Sequence, residues 1–236
     1  MTKKTLITGG TGMLGKSLKK KFTNQYSLDG RVHFDLTKKD SLNHISEFPD
    51  FDLIIHTAAI TDLKENEINP EAAYQLHAGI IPYLQKKCKK LIYISAQGRK
   101  HKGVYYETKF EGEKLTLKRE NDLVIRTNII GDGGLREWAL RELKNNNKIN
   151  GFTNVYFNPV HVDQLSDFIA ENINLSGVVN FCSTEKISKY QFLRKLSYVY
   201  NFSDENVLPV KFKKSKDLTV KESSNIKTYK VNLRIV

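Results

Sequence analysis

The sequence predicts an α/β protein with a doubly wound parallel sheet, and two observations carry this prediction. Short apolar runs alternate with helix-length segments through the first half of the 236 residues, and this order of elements builds parallel sheets with helices on both faces. Three glycines at three-residue spacing, Gly9, Gly12 and Gly15, follow the first apolar run. The chain is therefore expected to open with a strand, a tight turn and a helix.

Five strands and three helices are expected in the first half of the chain. The strands cover residues 5–8, 26–28, 53–56, 91–95 and 123–126, and the helices cover residues 12–22, 71–87 and 107–119. Asn69 and Pro70 are typical of a helix start, with asparagine as the N-cap and proline in the first turn. Pro82 lies inside the second helix, where proline kinks or ends a helix because it lacks a backbone N–H.

The order of elements changes after residue 126. Helices are expected over residues 135–143, 163–173 and 189–200 and a strand over residues 177–183, while the glycine- and asparagine-rich segments 131–134 and 145–151 predict loops. Because strands and helices no longer alternate there, we predict a larger domain over residues 1–130 and a smaller α/β lobe over residues 131–236. Some segments of the lobe are expected to pack back on the first domain.

The net charge of the chain is weak evidence about which molecules it binds. Lys and Arg number 38 against 26 Asp and Glu, which gives a formal net charge of +12. Such a surface favours anionic partners, but a solvated, lysine-rich surface is the simpler explanation. No motif for stacking bases accompanies the charge, so a nucleic-acid partner is not expected.

The cysteines and the apolar runs indicate the compartment. Cys88 and Cys182 are far apart and in no metal-ligand spacing, which suits a reducing environment and predicts neither a disulfide framework nor a metal site. No apolar run reaches the ~18 residues of a membrane span, and no signal-peptide pattern precedes the first predicted strand. We expect a cytoplasmic protein that does not span a membrane.

The glycine-rich turn, "TGGTGMLG" over residues 8–15, predicts a Rossmann-type site for the pyrophosphate of a dinucleotide. Where the backbone must approach the pyrophosphate, a Cβ atom would clash, so glycine is required. The helix that begins near Gly12 directs its free N–H groups and its dipole at the anion. Asp29 follows the first glycine by about 20 residues, at the end of the second predicted strand, where an acid bonds the adenosine ribose.

Two alternatives remain for this turn. Gly10, Gly15, Lys16 and Ser17 fit the bare P-loop pattern, in which the lysine and the serine serve nucleotide phosphates and Mg²⁺. A turn with no ligand is the second alternative. The three-residue glycine spacing and Asp29 favour the dinucleotide site.

The chain resembles the extended short-chain dehydrogenases, and among them the dTDP-4-dehydrorhamnose reductases. The resemblance rests on "TGGTGMLG", on "DLIIHTAAITDLKENEINPEAAYQLHAG" and on "VYYETKFEGEKL", which places Tyr105 and Lys109 in a Tyr-x-x-x-Lys spacing. The later segments "NPVHVDQLSDFI" and "GVVNFCSTEKISKYQFL" are similar to family segments on the sugar-nucleotide side, and "SSNIKTYKV" is similar to the closing segment of the family. The resemblance implies an NAD(P)-binding domain over residues 1–130 and a substrate-binding lobe over residues 131–236.

The function that the resemblance implies is reduction of a keto-deoxy sugar nucleotide with NADP or NAD as the cofactor, as in deoxysugar biosynthesis. A sugar-nucleotide epimerase is an alternative with the same substrate class. A non-catalytic regulatory subunit that keeps the dinucleotide-binding fold is an alternative of a different class. The resemblance leaves a homodimer open.

Tyr105 and Lys109 are the predicted proton donor and its helper. They lie four residues apart in a helical pattern and so share one face, and an ammonium beside a phenol is expected to lower the phenol's pKa, as suits general acid–base catalysis. The resemblance implies that Lys109 also holds the nicotinamide ribose. Where the family has a Ser or Thr that bonds the reacting carbonyl, this chain has Ala96, so Ser95 is the candidate substitute, although it should point to the opposite side of the strand.

Two further departures from the family pattern bear on the chemistry. Gln97 and Gly98 stand where the related dehydratases have an Asp-Glu pair, which argues against a 4,6-dehydratase. His77 occupies the position where the family usually has an asparagine that braces the proton relay. A packed structural histidine is the simpler interpretation of His77.

The resemblance also implies a set of cofactor-contacting residues at the strand ends of the first domain. They are Gly9, Thr11, Gly12, Met13, Leu14, Gly15, Asp29, Arg31, Asp35, Leu36, Thr57, Ala58, Ala59, Tyr105 and Lys109. Asp29 favours NAD, because a carboxylate bonds the ribose 2′-hydroxyl. Arg31 favours NADP, because a guanidinium matches a 2′-phosphate, so the choice of cofactor stays open.

Overall fold

A computed structural model describes residues 3–28, 35–96, 102–220 and 223–235 of the chain. The chain divides into two compact units, of which the first comprises Met1–Arg126 and Ser166–Val179 and the second comprises Thr127–Leu165 and Asn180–Val236. The substrate-binding role assigned to the later residues stays a prediction. Among the described residues, no helix is both long enough and apolar enough to cross a membrane.

Strands and helices alternate through the first 127 residues. The strands are β1 (Thr5–Thr8), β2 (Gln25–Leu28), β3 (Phe51–His56), β4 (Cys88–Ala96) and β5 (Leu123–Thr127), and the helices are α1 (Met13–Lys19), α2 (Lys39–Ile45), α3 (Leu63–Ile68), α4 (Pro70–Tyr74), α5 (Ile81–Lys86) and α6 (Val104–Thr116). A π-helical turn, Gln75–Gly79, lies between α4 and α5. All five predicted strands are confirmed, whereas α2 and α3 have no counterpart in the prediction.

The later part of the chain carries shorter elements. They are β6 (Ile129–Ile130), α7 (Gly134–Lys144), β7 (Ile149–Phe152), β8 (Val155–Phe157), β9 (Val160–His161), α8 (Val162–Glu171), β10 (Gly177–Ser183), β11 (Ile187–Ser188), α9 (Lys189–Val199), β12 (Val207–Val210), β13 (Lys216–Asp217) and β14 (Lys227–Val231). The three helices and the strand that were predicted here are confirmed. The other strands are two to five residues long and carry too little alternation to be recognised from sequence.

A seven-stranded sheet in the order β14-β10-β5-β4-β3-β1-β2 forms the centre of the fold. β1 pairs in parallel with both β2 and β3, and β3 pairs in parallel with β4, which confirms the predicted doubly wound arrangement. Since β1 lies between β2 and β3, the chain first continues to the neighbour on one side of β1 and then crosses to the neighbour on the other side. The crevice at the carboxyl end of β1 is therefore a topological switch point, where open α/β sheets bind ligands.

The predicted break at Pro82 is confirmed, and it takes the form of a widened helical turn. Ile80 donates its backbone N–H to the carbonyl of Gln75 at 3.0 Å, an i→i−5 bond, and Pro82 lies in the first turn of α5. Proline offers no N–H to the carbonyl four residues earlier, and its ring crowds that carbonyl. The helix consequently widens just before the proline, at the segment that carries His77.

The core of the first unit lies between the sheet and the helices α2, α4 and α5. Leu6, Ile54 and Leu91 from the strands and Ile80 and Leu84 from the helical segment are at most 2 % exposed. Burial of each such side chain contributes about 1.5–3 kcal/mol. This packing holds the carboxyl ends of β1, β3 and β4 in fixed relation to one another.

Candidate active site

The three glycines of the glycine-rich turn do different things. Gly9 has φ +72°, and a Cβ added there would lie 2.8 Å from the backbone of Ala58. A Cβ on Gly15 would lie 2.2 Å from the carbonyl oxygen of Gly9, so α1 packs directly on the turn. Gly12 is exposed, and its added Cβ would meet, among the described residues, only the Gly9 oxygen at 3.1 Å. Packing thus excludes a side chain at Gly9 and Gly15, whereas exposed Gly12 has a single close neighbour in the described part of the chain, the Gly9 oxygen.

The P-loop interpretation of the same residues is wrong. α1 begins at Met13, so Lys16 and Ser17 lie beyond its first residues, and the Lys16 N–H bonds the Gly12 carbonyl at 2.9 Å. The Ser17 hydroxyl is buried and hydrogen-bonded to the Ser166 hydroxyl at 2.7 Å. A P-loop needs the serine hydroxyl free for Mg²⁺ at the start of the helix, and here it is directed into the interior.

The remaining predicted residues of the turn are divided between surface and core. Thr11 is exposed and Met13 is partly exposed, whereas Leu14 is 6 % exposed and belongs to the core. The first turn of α1 carries no acidic residue. Its N–H groups, which have no acceptors within the helix, therefore face no carboxylate from their own helix.

The end of β3 is tied to the end of β1 by buried hydrogen bonds. The Thr57 hydroxyl donates to the Thr8 carbonyl at 2.6 Å, and Thr57, Ala58 and Ala59 are each partly exposed at this edge. The Thr8 hydroxyl lies 2.7 Å from Nδ1 of the buried His56. Backbone at both strand ends is therefore fixed at the switch point, with the predicted cofactor residues on its surface.

The residues predicted to contact the adenosine are only partly described. Asp35 accepts hydrogen bonds from the backbone and hydroxyl of Thr37, at 3.0 and 2.6 Å, and so forms the turn that precedes α2. Leu36 is 6 % exposed and lies in the core. Asp29 and Arg31, the residues that bear on NAD against NADP, lie outside the described residues, as do Gln97 and Gly98.

Lys109 is buried in the second turn of α6. Its ammonium donates to the carbonyl of Ile94 on β4 at 2.6 Å and lies 4.2 Å from the centre of the Tyr93 ring. Burial lowers the pKa of Lys109 to about 7, although the nearby Glu113 carboxylate acts in the opposite direction. The amine is therefore divided between its charged and neutral forms near neutral pH.

Tyr105 lies in the first turn of α6, and its pKa is raised. The prediction that Lys109 lowers the pKa of this phenol is wrong. Burial first, and the neighbouring Tyr106 second, raise the pKa of Tyr105 to about 12. The Lys109 ammonium is committed to a β4 carbonyl and to the Tyr93 ring, and it loses its own proton near neutrality. The phenol consequently stays protonated, which suits a proton donor rather than a base.

A cavity of about 400 Å³ adjoins the phenol. Its wall is almost entirely apolar, and its lining residues are Leu63, Lys64, Glu67, Ile68, Lys102, Gly103, Tyr105 and Tyr106. It is formed by α3 and the start of α6 and is open to solvent. A small molecule placed there would contact Tyr105.

The Ser95 hydroxyl, the candidate to hydrogen-bond the reacting carbonyl, is buried. Ser95 is 4 % exposed, and its Oγ has no hydrogen-bond partner among the described residues. Ala96, the last residue of β4, is partly exposed. The residue at the surface of this strand end thus carries no hydroxyl, and the neighbouring Ser95 hydroxyl has no partner in the part of the chain that the structure describes.

Helix α6 is held at two places by contacts that sequence reasoning missed. Glu67 on α3 accepts the N–H of Val104 at 2.9 Å, which fixes the start of the helix. Arg126 on β5 forms a buried ion pair with Glu113, with Nη2 2.5 Å from Oε2. The signal for the Glu113–Arg126 pair was the polar character of two positions that face the core, and it did not identify the partners. Glu67 is exposed and gave no such signal. No group of three or more potential metal ligands occurs in the described ranges.

Solved structures of similar fold include reductases and an epimerase. The dTDP-4-dehydrorhamnose reductase of Bacillus anthracis str. Ames in complex with NADP is 22% identical with a TM-score of 0.82, covering 94% of this chain and 92% of that chain. A hypothetical dTDP-4-dehydrorhamnose reductase from Sulfolobus tokodaii is 24% identical with a TM-score of 0.79, covering 92% and 91%. The UDP-glucose 4-epimerase of Thermus thermophilus in complex with NAD is 15% identical with a TM-score of 0.78, covering 92% and 90%.

These similarities establish the fold, and the sequence establishes the family. None of the curated protein sequences matches the chain. A family profile described as the RmlD substrate binding domain matches residues 3–234, which agrees with the resemblance found in the motifs. Because that match spans nearly the whole sequence, the chain belongs to the RmlD substrate binding domain family.

Proposed function

We propose that the protein is an NAD(P)H-dependent reductase of a keto-deoxy sugar nucleotide. The observation that supports the proposal is the placement of Tyr105, a protonated phenol among the residues that line a cavity between α3 and the start of α6. The glycine-rich turn lies in the same compact unit. Two of the similar structures described above contain NADP or NAD.

The residues at the switch point fit a dinucleotide. The exposure of Gly12, the first-turn N–H groups of α1 and the absence of acid from that turn suit a pyrophosphate. Thr11 and Gly12 would hold the pyrophosphate, while Thr57, Ala58 and Ala59 would line the path toward the nicotinamide. When bound, the nicotinamide supplies the hydride.

The proton and its path come from the chain itself. The Tyr105 phenol would release its proton to the carbonyl oxygen of the substrate, and the amine of Lys109 would hold the nicotinamide ribose. The buried Ser95 hydroxyl, which has no partner in the described part of the chain, would need to turn outward to bond that oxygen. Residues 131–236 would bind the rest of the sugar nucleotide.

Ala96 favours a second candidate, a non-catalytic NAD(P)-binding regulatory subunit. A preorganised donor at the reacting oxygen is typically worth roughly 3 kcal/mol of transition-state stabilisation, and alanine provides none. The two candidates differ in turnover but not in cofactor binding. A cytoplasmic location and a homodimer also stay proposals. Cys88 and Cys182, which form no disulfide, fit the first, and light scattering tests the second.

The test is oxidation of NADPH and NADH with a panel of 4-keto-6-deoxy sugar nucleotides. Tyr105→Phe should lower the rate about 10²–10⁴-fold, as expected for the loss of general acid catalysis, with little change in melting temperature or cofactor affinity. Tyr198→Phe is the control, because Tyr198 is 82 % exposed and is not among the residues that line this cavity, and it should keep its rate. Turnover that survives Tyr105→Phe contradicts the proton donor, and cofactor binding without turnover by the wild type favours the regulatory subunit.

A further inference from the structure

His77 lies in the middle of the π-helical turn and is fully buried. π-helical turns between α-helical segments frequently occur at functional sites. Both ring nitrogens of His77 have hydrogen-bond partners, as a buried imidazole requires. The two partners belong to different parts of the candidate active site, so the ring connects them.

The partners determine which ring nitrogen carries the proton. The backbone N–H of Ile60, in the loop after β3, donates to Nε2 at 3.0 Å, so Nε2 carries no proton. Nδ1 therefore carries it and donates to the Thr108 hydroxyl at 2.8 Å. Thr108 in turn donates to the Val104 carbonyl at 2.7 Å. Every donor in this chain of bonds meets an acceptor, and the reversed tautomer would set two N–H groups against each other.

The backbone of His77 contacts α6 as well. The Tyr93 hydroxyl donates to the His77 carbonyl at 2.9 Å and lies 3.2 Å from the carbonyl of Lys109. A Cβ on Gly112 would lie 2.1 Å from the same His77 oxygen, so α6 packs directly against the π-helical turn. The His77 ring also meets the Tyr105 ring edge-on, with 5.7 Å between centroids.

His56 provides a contrast in the same region. Its Nε2 lies 2.9 Å from the carbonyl of Leu76 and must donate to it, so Nδ1 accepts from Thr8. Burial first, and the charge of Lys109 second, lower the pKa of both imidazoles, that of His56 to about 3. The two buried histidines thus have opposite tautomers, and His56 bonds the carbonyl of Leu76, the residue before His77.

We propose that His77 is a positioning residue that, in its Nδ1–H tautomer, fixes the first turn of α6 and with it the ring of Tyr105. The imidazole bonds Thr108, one turn after Val104, and touches the Tyr105 ring itself. The same imidazole holds the loop after β3, where the cofactor residues Thr57 to Ala59 lie. The effect of this positioning role on kcat rests on the proposed function, whereas the hydrogen bonds of His77 do not.

The tautomer is tested by long-range ¹H–¹⁵N spectra of the ¹⁵N-labelled full chain. The His77 ring signals are identified by their loss in His77→Gln, and the exposed His44 is the control ring. We expect the Nδ1–H pattern for His77 and the Nε2–H pattern for His56, both unchanged between about pH 5.5 and 8, the range in which an ordinary histidine titrates. An Nε2–H or doubly protonated His77 overturns the proposal.

The positioning role is tested by removing the acceptor. Thr108→Val deletes the hydroxyl at nearly constant shape and should lower kcat about tenfold or more, because small displacements of catalytic groups are costly, while the Kd for NADPH stays unchanged. Thr116→Val is the matched control: Thr116 is buried in the same helix and bonds the Gly112 carbonyl at 2.8 Å, but it does not touch His77. Its kcat should stay unchanged.

A double variant separates positioning from general stability. His77→Gln and Thr108→Val break the same bond, so the double variant should lose no more in kcat than the worse single variant. Additive losses in kcat, or losses confined to melting temperature, overturn the positioning role.

Should the wild type reduce none of the substrates, the proposed function fails and the Tyr105 ring decides the proposal instead. In ¹³C-tyrosine-labelled protein, the Tyr105 signal, identified with Tyr105→Phe, should shift in Thr108→Val and not in Thr116→Val. An unmoved Tyr105 signal overturns the positioning role.

Discussion

The glycine-rich turn and helix α6 are two rigid parts of one candidate active site that are held by opposite means. In the turn, backbone packs on backbone: Gly15 approaches Gly9 so closely that an added Cβ would lie 2.2 Å from its carbonyl oxygen. In α6, buried polar side chains hold the helix, among them Lys109 on a β4 carbonyl and Glu113 on Arg126. The turn therefore tolerates no added atoms at its packed glycines, whereas α6 tolerates no lost partners.

The largest effect is expected where a buried charge in α6 loses its partner. Glu113→Gln leaves the guanidinium of Arg126, itself 4 % exposed, without a counter-charge and should cost about 3–5 kcal/mol of unfolding free energy. Glu111→Gln is the matched control, because its pair with Lys114 is solvent-exposed and is worth at most about 1 kcal/mol. Urea unfolding of both variants measures the difference, and equal losses would mean that α6 does not depend on its buried pair.

The glycine-rich turn should respond to an added atom at one glycine and not at the other. Gly15→Ala forces a Cβ against the Gly9 carbonyl and should cost about 1–3 kcal/mol through overpacking. Gly12→Ala should change the stability by less than about 1 kcal/mol but weaken NADPH binding about tenfold or more, because the new methyl group occupies the pyrophosphate site. Thermal unfolding and fluorescence titration measure the two effects. Full NADPH affinity in Gly12→Ala would remove the pyrophosphate from this turn.

The buried amine in α6 should make the stability rise with pH. The pKa of Lys109 is lowered to about 7 in the folded chain, so between that value and its usual value near 10.4 the unfolded chain binds more protons and stability increases with pH. Lys109→Met removes this pH dependence. The increase in the variant's unfolding free energy between about pH 7 and 9 should therefore be about 1–2 kcal/mol smaller than that of the wild type. Chemical unfolding of both proteins at the two pH values tests this. An equal change in unfolding free energy for both would show that the pKa of Lys109 is not lowered by folding.

The smallest expected effect concerns the end of β4, which lies between the two regions. Ala96→Ser restores a hydroxyl at the partly exposed strand end and should raise turnover about tenfold, less than the full value of a preorganised donor. Ala96→Val is the control for volume without a hydroxyl. A loss of activity in Ala96→Ser would mean that the site is built around alanine.

Much of the fold was predictable because its signals are local. The apolar runs of β1 to β5 and the proline at residue 82 determine structure within a few residues of themselves, and the structure confirms each of them. The choice between a P-loop and a dinucleotide turn needed the tertiary structure. The two differ in the direction of Ser17, which its partner Ser166 decides from 149 residues away.

The sequence by itself determined the doubly wound fold, the position of the turn and the shared helix that carries Tyr105 and Lys109. Tertiary structure alone decided the protonation state of Lys109 in that helix and the tautomer of His77, which contacts it. Lys109 meets the Ile94 carbonyl 15 residues away, and His77 meets Thr108 across 31 residues. The pKa of an amine and the tautomer of an imidazole depend on burial and on such distant partners, and no periodicity or spacing along the chain encodes them.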